Sequence, residues 1–215
     1  MIKVLLVDDH ELVRTGIRRL LDDTSGIKVV GEAESGEEAF LEVRKLKPDV
    51  VLMDVSMPGI GGLEATRKLM QLDAGLKVII VTIHTEEPFP TRLLEAGAAG
   101  YLTKDCGINE IVNAIRAVVE GERYIGAEIA QQMALTMMPG GTNSPFQTLS
   151  QREMQVMMMV TQGQNVQQIS DKLCLSPKTI STYRHRLFEK LNVDNDVELT
   201  RLAIRHGILE SGESV

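Results

Sequence analysis

Val4-Leu5-Leu6-Val7-Asp8-Asp9, Val50-Val51-Leu52-Met53-Asp54, Val78-Ile79-Ile80-Val81-Thr82 and Gly100-Tyr101-Leu102-Thr103-Lys104 decide the fold of this chain. Each is a short apolar run that ends on a polar residue. Such runs, bounded by polar residues, read as buried parallel strands. Amphipathic stretches of helical period lie between them, so strand and helix alternate. In an open parallel sheet, ligands bind outside the carboxyl ends of the strands. Asp8, Asp9, Asp54, Thr82 and Lys104 are therefore expected to converge on one crevice although they lie far apart in sequence.

Working outward, strands are predicted near 3–8, 27–33, 49–54, 77–82 and 99–103, with helices near 10–22, 36–47, 62–72, 88–96 and 107–119. Pro58-Gly59-Ile60-Gly61-Gly62 follows the third strand, where the backbone must turn tightly beside the crevice. After Gly121 the alternation stops. A helix-compatible stretch, Ala127 to Met138, runs into Pro139-Gly140-Gly141-Thr142-Asn143-Ser144-Pro145, a turn and linker signal. From Leu149 the reading is helical, about 150–162, 165–172, 176–191 and 195–207. Ser150 with Glu153 fits a capping box, and Ser176-Pro177 an N-cap with proline at the first helical position. The division is a domain over 1–120, a linker with a short helix over 121–147, and an all-α domain over 148–215.

The chain of 215 residues suffices for two modest domains, each with its own core. Hydrophobic content of 43% and charged content of 25% are those of a soluble globular protein. No apolar stretch approaches the roughly 18 residues that span a bilayer. The start, Met1-Ile2-Lys3-Val4-Leu5, enters a strand directly and lacks a signal-peptide layout. Two cysteines in different segments, Cys106 and Cys174, fit idle thiols in a cytoplasmic setting, with no membrane association. Net charge is −7, and residues 1–128, with 15 Lys+Arg against 22 Asp+Glu, carry −7 by themselves. Residues 148–208, with 8 Lys+Arg against 6 Asp+Glu, carry +2. That asymmetry says more about partners than the total does.

Asp8, Asp9 and Asp54 would place up to three negative charges close together, which is costly without a cation. A hard divalent ion answers this, and Mg²⁺ favours one or two carboxylates completed by water and phosphate oxygens. Asp54 is then set to act as a nucleophile that forms an aspartyl-phosphate. Lys104 can pair with one phosphate oxygen and Thr82 can hydrogen-bond another. Phosphoryl transfer needs little more, because it depends mostly on positioning and charge stabilisation.

Residues 1–120 resemble the receiver domain of bacterial two-component response regulators. The resemblance rests on Val7-Asp8-Asp9-His10, Met53-Asp54-Val55-Ser56-Met57-Pro58-Gly59, Val81-Thr82 and Tyr101-Leu102-Thr103-Lys104. It implies a flavodoxin-like, five-stranded parallel α/β domain in which Asp54 accepts phosphoryl from a sensor histidine kinase. It further implies Mg²⁺ held by Asp9, Asp54 and the Ser56 backbone carbonyl, with Asp8 acting through water. Thr82 and Tyr101 would be the switch pair. Ser56 and His84, each two residues past a site residue, match positions that tune dephosphorylation in receivers. Lys104 is followed by Asp105, where many receivers have proline.

Gln168 to Ile180 reads as helix, tight turn, helix. A bland helical bundle would show the same apolar spacing, but the second helix adds chemistry. Ile180, Leu187 and Leu191 fall on one face, and Thr182, His185, Arg186 and Glu189 fall opposite, with Ser181 at the side. Residues 178–190 hold four basic side chains and one acidic, a net +3. A polar, basic face near a helix N-terminus suits the major groove of DNA. The stretch resembles the LuxR/NarL-type helix-turn-helix output domain through Leu149-Ser150-Gln151-Arg152-Glu153, Gly163, Ile169-Ser170, Leu175 to Ile180, and Lys190-Leu191. That resemblance makes Ser181, Thr182 and His185 the base readers and Lys178, Thr179 and Arg186 the phosphate contacts. Arg184 turns toward the apolar side. The last helix is apolar on two sides, Val197, Ile204 and Ile208 against Leu199, Leu202 and Ala203, which predicts a homodimer on paired half-sites.

Ile129 to Ala134, Ser144-Pro145-Phe146 and Asp196 to Gly207 are similar to the GacA/UvrY group of global regulators. This implies a hybrid sensor kinase as donor and promoters of small regulatory RNAs among the targets. The expected protein is a phosphorylation-activated transcription regulator and not an enzyme. The −7 against +3 contrast suggests that the unphosphorylated acidic domain masks the 178–190 helix. One rival is a phosphatase of the haloacid-dehalogenase type, which needs a second Asp where Ser56 stands. The other is a phospho-switched regulator whose helical domain binds protein only.

Overall fold

A computed structural model describes residues 1–85, 88–136, 144–206 and 208–209. Most of the 139–145 turn signal, and Gly207, lie outside the described residues. The chain divides into two compact units, an N-terminal α/β unit and a C-terminal helical one.

In the N-terminal unit, strands and helices alternate as β1 (Ile2–Val7), α1 (Glu11–Asp22), β2 (Ile27–Ala33), α2 (Gly36–Leu46), β3 (Val50–Met53), α3 (Gly61–Leu72), β4 (Lys77–Thr82), α4 (Phe89–Glu95), β5 (Gly100–Thr103) and α5 (Ile108–Val119). The expected five parallel strands are joined by a sixth, β6 (Tyr124–Ile125), followed by α6 (Ala127–Thr136). The order is β2-β1-β3-β4-β5-β6, every pairing being parallel. The five-stranded reading is thus corrected by one strand. After α5 the chain reverses at Gly121, whose φ of 92° suits glycine, and lays two residues along Gly100 and Tyr101. A strand that short carries no periodicity to read. Both β6 and α6 fall within residues 121–147, assigned above to a linker with a short helix.

Pleating sends Val4 and Leu6 of β1 to one face, where they join Leu52, Ile79, Val81, Ile111, Ile115 and Val118 in one buried cluster. Leu5 and Met53 are equally buried, so the central strands are covered on both faces. The strand order reverses between β1 and β3 (neighbours that continue to β2 on one side and to β4 on the other), and a ligand crevice belongs at their carboxyl ends.

The C-terminal unit opens with a 3₁₀ turn, Pro145–Thr148, followed by α7 (Gln151–Thr161), α8 (Val166–Leu173), α9 (Pro177–Leu191) and α10 (Asp196–Arg205). The Ser150–Glu153 capping box forms as expected, and Asn165 with Gln168 makes a second. Ser176 caps α9 with Pro177 at its first position. Phe146, Met157, Ile169, Ile180, Leu187, Leu199 and Ala203 form a buried interior. Between α8 and α9, the Ser170 hydroxyl donates to the Leu175 carbonyl at 2.6 Å while the Leu175 N–H donates to the Ser170 carbonyl at 3.1 Å. This pair fixes the turn that aims α9.

Glu153 ties the ends of this unit together. Its side chain is 4% exposed, receives the Ser150 N–H at 2.6 Å, and pairs with Lys190 Nζ at 2.7 Å. Burial pushes its carboxyl up, but the Lys190 and Ser150 hydrogen bonds outweigh that and hold it below the ordinary 4.5. A depressed carboxyl stabilises the fold above its unfolded value, and that stabilisation is lost as pH falls through the folded one. Glu153→Gln is therefore expected to destabilise this unit by about 1–2 kcal/mol at neutral pH. Below pH 4.5 the gap to wild type should shrink. Hydrogen exchange of the α7 and α9 amides against pH measures both.

Candidate phosphoacceptor site and helix-turn-helix face

The carboxyl ends of β1, β3, β4 and β5 bring the expected residues together. Asp54 follows β3, is 2% exposed, and donates its backbone N–H to the Val7 carbonyl of β1 at 2.8 Å. Its Oδ1 accepts the Val55 N–H at 2.7 Å, and its Oδ2 faces Lys104 Nζ at 3.0 Å. The same ammonium lies 2.6 Å from Asp8 Oδ2. Lys104 thus bridges the two buried carboxylates. Ligand atoms of Asp8, Asp9, His10 and Asp54 all lie within 4.8 Å of one another. Hard carboxylate oxygens grouped around a crevice are the donor set for a divalent cation, so the acidic residues fit the metal expected of them.

Burial, assisted by the nearby Asp8 charge, raises the Asp54 carboxyl above the ordinary range despite Lys104 opposite it. Burial by itself would lower the Lys104 ammonium, but the Asp54 and Asp8 carboxylates hold it above its usual value. The pair therefore favours the charged lysine.

Thr82 and Tyr101 are fully buried. Thr82 Oγ1 accepts the His84 N–H at 3.2 Å, and the Tyr101 hydroxyl donates to the His84 carbonyl at 2.6 Å. The Tyr101 ring is thus already inside the fold. Ser56 and His84 touch directly, Oγ to Nε2 at 2.6 Å, and the His84 ring stacks on Phe89 at 4.7 Å. Burial, with Lys104 nearby, pushes the His84 imidazole down to about 4, so it is neutral at pH 7. Sequence reading singled out neither the place of His10 in the acidic group nor this bridge, although Val7-Asp8-Asp9-His10 contains the first. Only an adjacent imidazole signalled it.

Close packing holds the loop after Asp54. The Gly62 N–H donates to the Val55 carbonyl at 3.0 Å. A Cβ on Gly62 would collide with the Asp54 carbonyl oxygen and stand 2.8 Å from Val55 Cα. Both obstacles are backbone, so the loop itself must shift.

In the helical unit, Lys178, Ser181, Thr182, His185 and Arg186 are exposed along α9, and Thr179 is partly buried. The Thr179 hydroxyl meets the Ser176 cap at 2.8 Å, and the Ser181 and Thr182 hydroxyls bond back to the Pro177 and Lys178 carbonyls. His185 lies 3.4 Å from Glu189. Arg184 is engaged elsewhere, bidentate on Asp196 at 2.6 and 3.0 Å and over the Phe188 ring. On α10, Leu199 and Ala203 are buried whereas Val197 is 62% and Ile204 38% exposed. Ile208, grouped with them above, is instead buried.

A receiver-type crevice and a helix-turn-helix on one chain define a response regulator. The profile described as "Response regulator receiver domain" matches residues 4–116, and "Bacterial regulatory proteins, luxR family" matches 147–203. The chain belongs to this family of regulators and is not an enzyme. It is 61% identical to the response regulator GacA of Pseudomonas protegens, over 98% of this chain and 99% of that protein. It is 60% identical to UvrY of Escherichia coli K12, over 97% of this chain and 96% of UvrY. RcsB of Salmonella enterica serovar Typhimurium, solved bound to promoter rprA with the phosphomimetic BeF₃⁻, is 25% identical with a TM-score of 0.70, covering 94% of this chain and 97% of that one. The function of the chain is DNA-binding regulation of transcription controlled by phosphorylation.

Gly62→Ala is expected to cost about 1–3 kcal/mol by overpacking and to slow phosphorylation from a small-molecule phosphodonor at least tenfold. Thermal unfolding and single-turnover phosphate incorporation measure the two effects separately.

Proposed function

We propose that Asp54 accepts a phosphoryl group from the phosphohistidine of a hybrid sensor kinase in the cytoplasm. The resulting charge controls binding of the α9 face to promoter DNA. The observation that carries this reading is the Lys104 ammonium set between Asp8 and Asp54, 2.6 Å from one and 3.0 Å from the other. An Asp54 oxygen attacks phosphorus, the new P–O bond forms as the P–N bond breaks, and the imidazole nitrogen leaves with its electron pair. Asp54 suits this role because burial makes its carboxylate more basic, an effect that the Lys104 charge opposes. Mg²⁺ bound by Asp9, Asp54 and the Ser56 carbonyl, with Asp8 through water, would neutralise charge on the phosphoryl oxygens.

Lys104 then pairs with one phosphoryl oxygen and the Thr82 hydroxyl with another. Drawing Thr82 away from the His84 N–H loosens the segment that Tyr101 also holds, so both switch residues respond to one event. At the other end, Ser181, Thr182 and His185 read bases in the major groove while Lys178, Thr179 and Arg186 contact phosphates. Exposed Val197 and Ile204 on α10 support a homodimer on paired half-sites. The similarity to GacA and UvrY supports promoters of small regulatory RNAs among the targets.

The test is promoter binding with and without a phosphodonor. Wild type should tighten on phosphorylation and Asp54→Ala should not respond; equal responses from both would overturn the reading. Lys178→Ala should reduce the slope of log affinity against log salt by about 1, because one phosphate contact is lost. An unchanged slope would take Lys178 off the interface.

A further inference from the structure

Arg14, on the first turns of α1, is almost fully buried at 5% exposure, and nothing in the proposed phosphoryl chemistry uses it. Its guanidinium faces three acceptors. Nη1 donates to the Asp8 backbone carbonyl at 2.6 Å, Nη2 to Glu34 Oε1 at 2.6 Å, and Nε to Glu32 Oε2 at 3.3 Å. Arg18 adds a second cation on Glu32. The fork is therefore anchored on the end of β2 and closes on the loop that leaves β1.

In a regular strand, successive side chains point to opposite faces, yet the Asp8 and Asp9 carboxylates both approach Asp54. That convergence requires the Asp8–Asp9 peptide to turn out of the strand. A peptide unit is rigid, so whatever grips its carbonyl also fixes its N–H and the direction in which Asp9 sets off. The Asp8 N–H is already pinned to the Ala33 carbonyl at 3.1 Å. Arg14 grips the other side of the same residue. A planar, multidentate donor holds such an orientation; a single ammonium on a flexible stem does not.

We propose that Arg14 is a positioning residue for the divalent-cation site, its guanidinium fixing the turned Asp8–Asp9 peptide that brings both carboxylates to Asp54. The inference rests on the reading of this acidic group as a cation site. Arg14 touches neither cation nor phosphoryl group. It acts through the peptide it holds, and Glu32 and Glu34 hold the guanidinium in place.

The experiment is calorimetric titration of full-length, unphosphorylated protein with Mg²⁺, alongside thermal unfolding. The variants are Arg14→Ala, Arg14→Lys, Glu34→Gln and Val118→Ala. Val118 lies in the core of the same unit away from the crevice, so its variant calibrates what lost stability alone does. Arg14→Ala should weaken Mg²⁺ binding at least fivefold and Arg14→Lys by about two- to threefold. Val118→Ala should bind as wild type. Matched weakening in Val118→Ala and Arg14→Ala, or wild-type affinity in Arg14→Ala, overturns the inference. If Arg14→Ala does not fold, Arg14→Lys and Glu34→Gln decide it: weakened binding in both supports the inference, and wild-type binding overturns it. Failure of wild type to bind Mg²⁺ would overturn the cation-site reading as well, so the two failures are distinguishable.

Discussion

The Lys104 ammonium between Asp8 and Asp54 is the interaction on which the α/β unit depends. Two carboxylates at the ends of adjacent strands, both almost wholly buried, repel one another and lose hydration. Removing one partner from such a buried pair costs about 3–5 kcal/mol. Lys104 comes from the end of β5, so its charge ties β5 to β1 and β3, with β4 between them. The backbone repeats the connection, since the Lys104 N–H donates to the Thr82 carbonyl at 3.0 Å. Every strand end that carries a site residue is thereby linked to the others. In the proposed reading, a phosphoryl group on Asp54 would compete for the Lys104 ammonium that holds these ends together, which would turn local chemistry into a change at the sheet's rim.

The helical unit solves a different problem, namely how to leave one face of α9 free while burying the other. Ile180, Leu187 and Leu191 anchor the inner face. The Arg184 guanidinium is spent on Asp196 and Phe188, which braces α9 against the start of α10. Lys190 is likewise held by Glu153 and the Thr148 carbonyl. Of the basic side chains between 178 and 190, Lys178 and Arg186 remain exposed on the face with Ser181, Thr182 and His185. The +3 charge of this segment therefore overstates the charge presented outward.

Sequence carried the strands, their order of chemistry and the helix-turn-helix because each rests on local signals. Apolar runs ending in Asp54, Thr82 or Lys104 mark a strand end directly, and Ser150, Ser176 and Pro177 mark helix starts. What escaped depends on contacts between distant segments. Arg14 reads as one more polar helix residue until Glu32 on β2 and Glu34 just after it are seen to hold it. The Ser56–His84 bridge joins two loops that no periodicity connects. β6 is two residues long, below any repeat a pattern could reveal. The left-handed turn at Cys174, with φ of 52°, uses a residue whose name does not announce that conformation. The bidentate hold of Asp196 on Arg184 needed the meeting of two helices.

The central claim is that Asp54 is where the signal becomes covalent. The most direct measurement is to treat the full-length protein with acetyl phosphate and Mg²⁺, reduce the acyl phosphate with borohydride, and locate the modified residue by peptide mass spectrometry. The account predicts modification at Asp54 alone, absent when Mg²⁺ is chelated. Modification at Asp8, Asp9 or elsewhere, or none on protein shown to be folded, would contradict it.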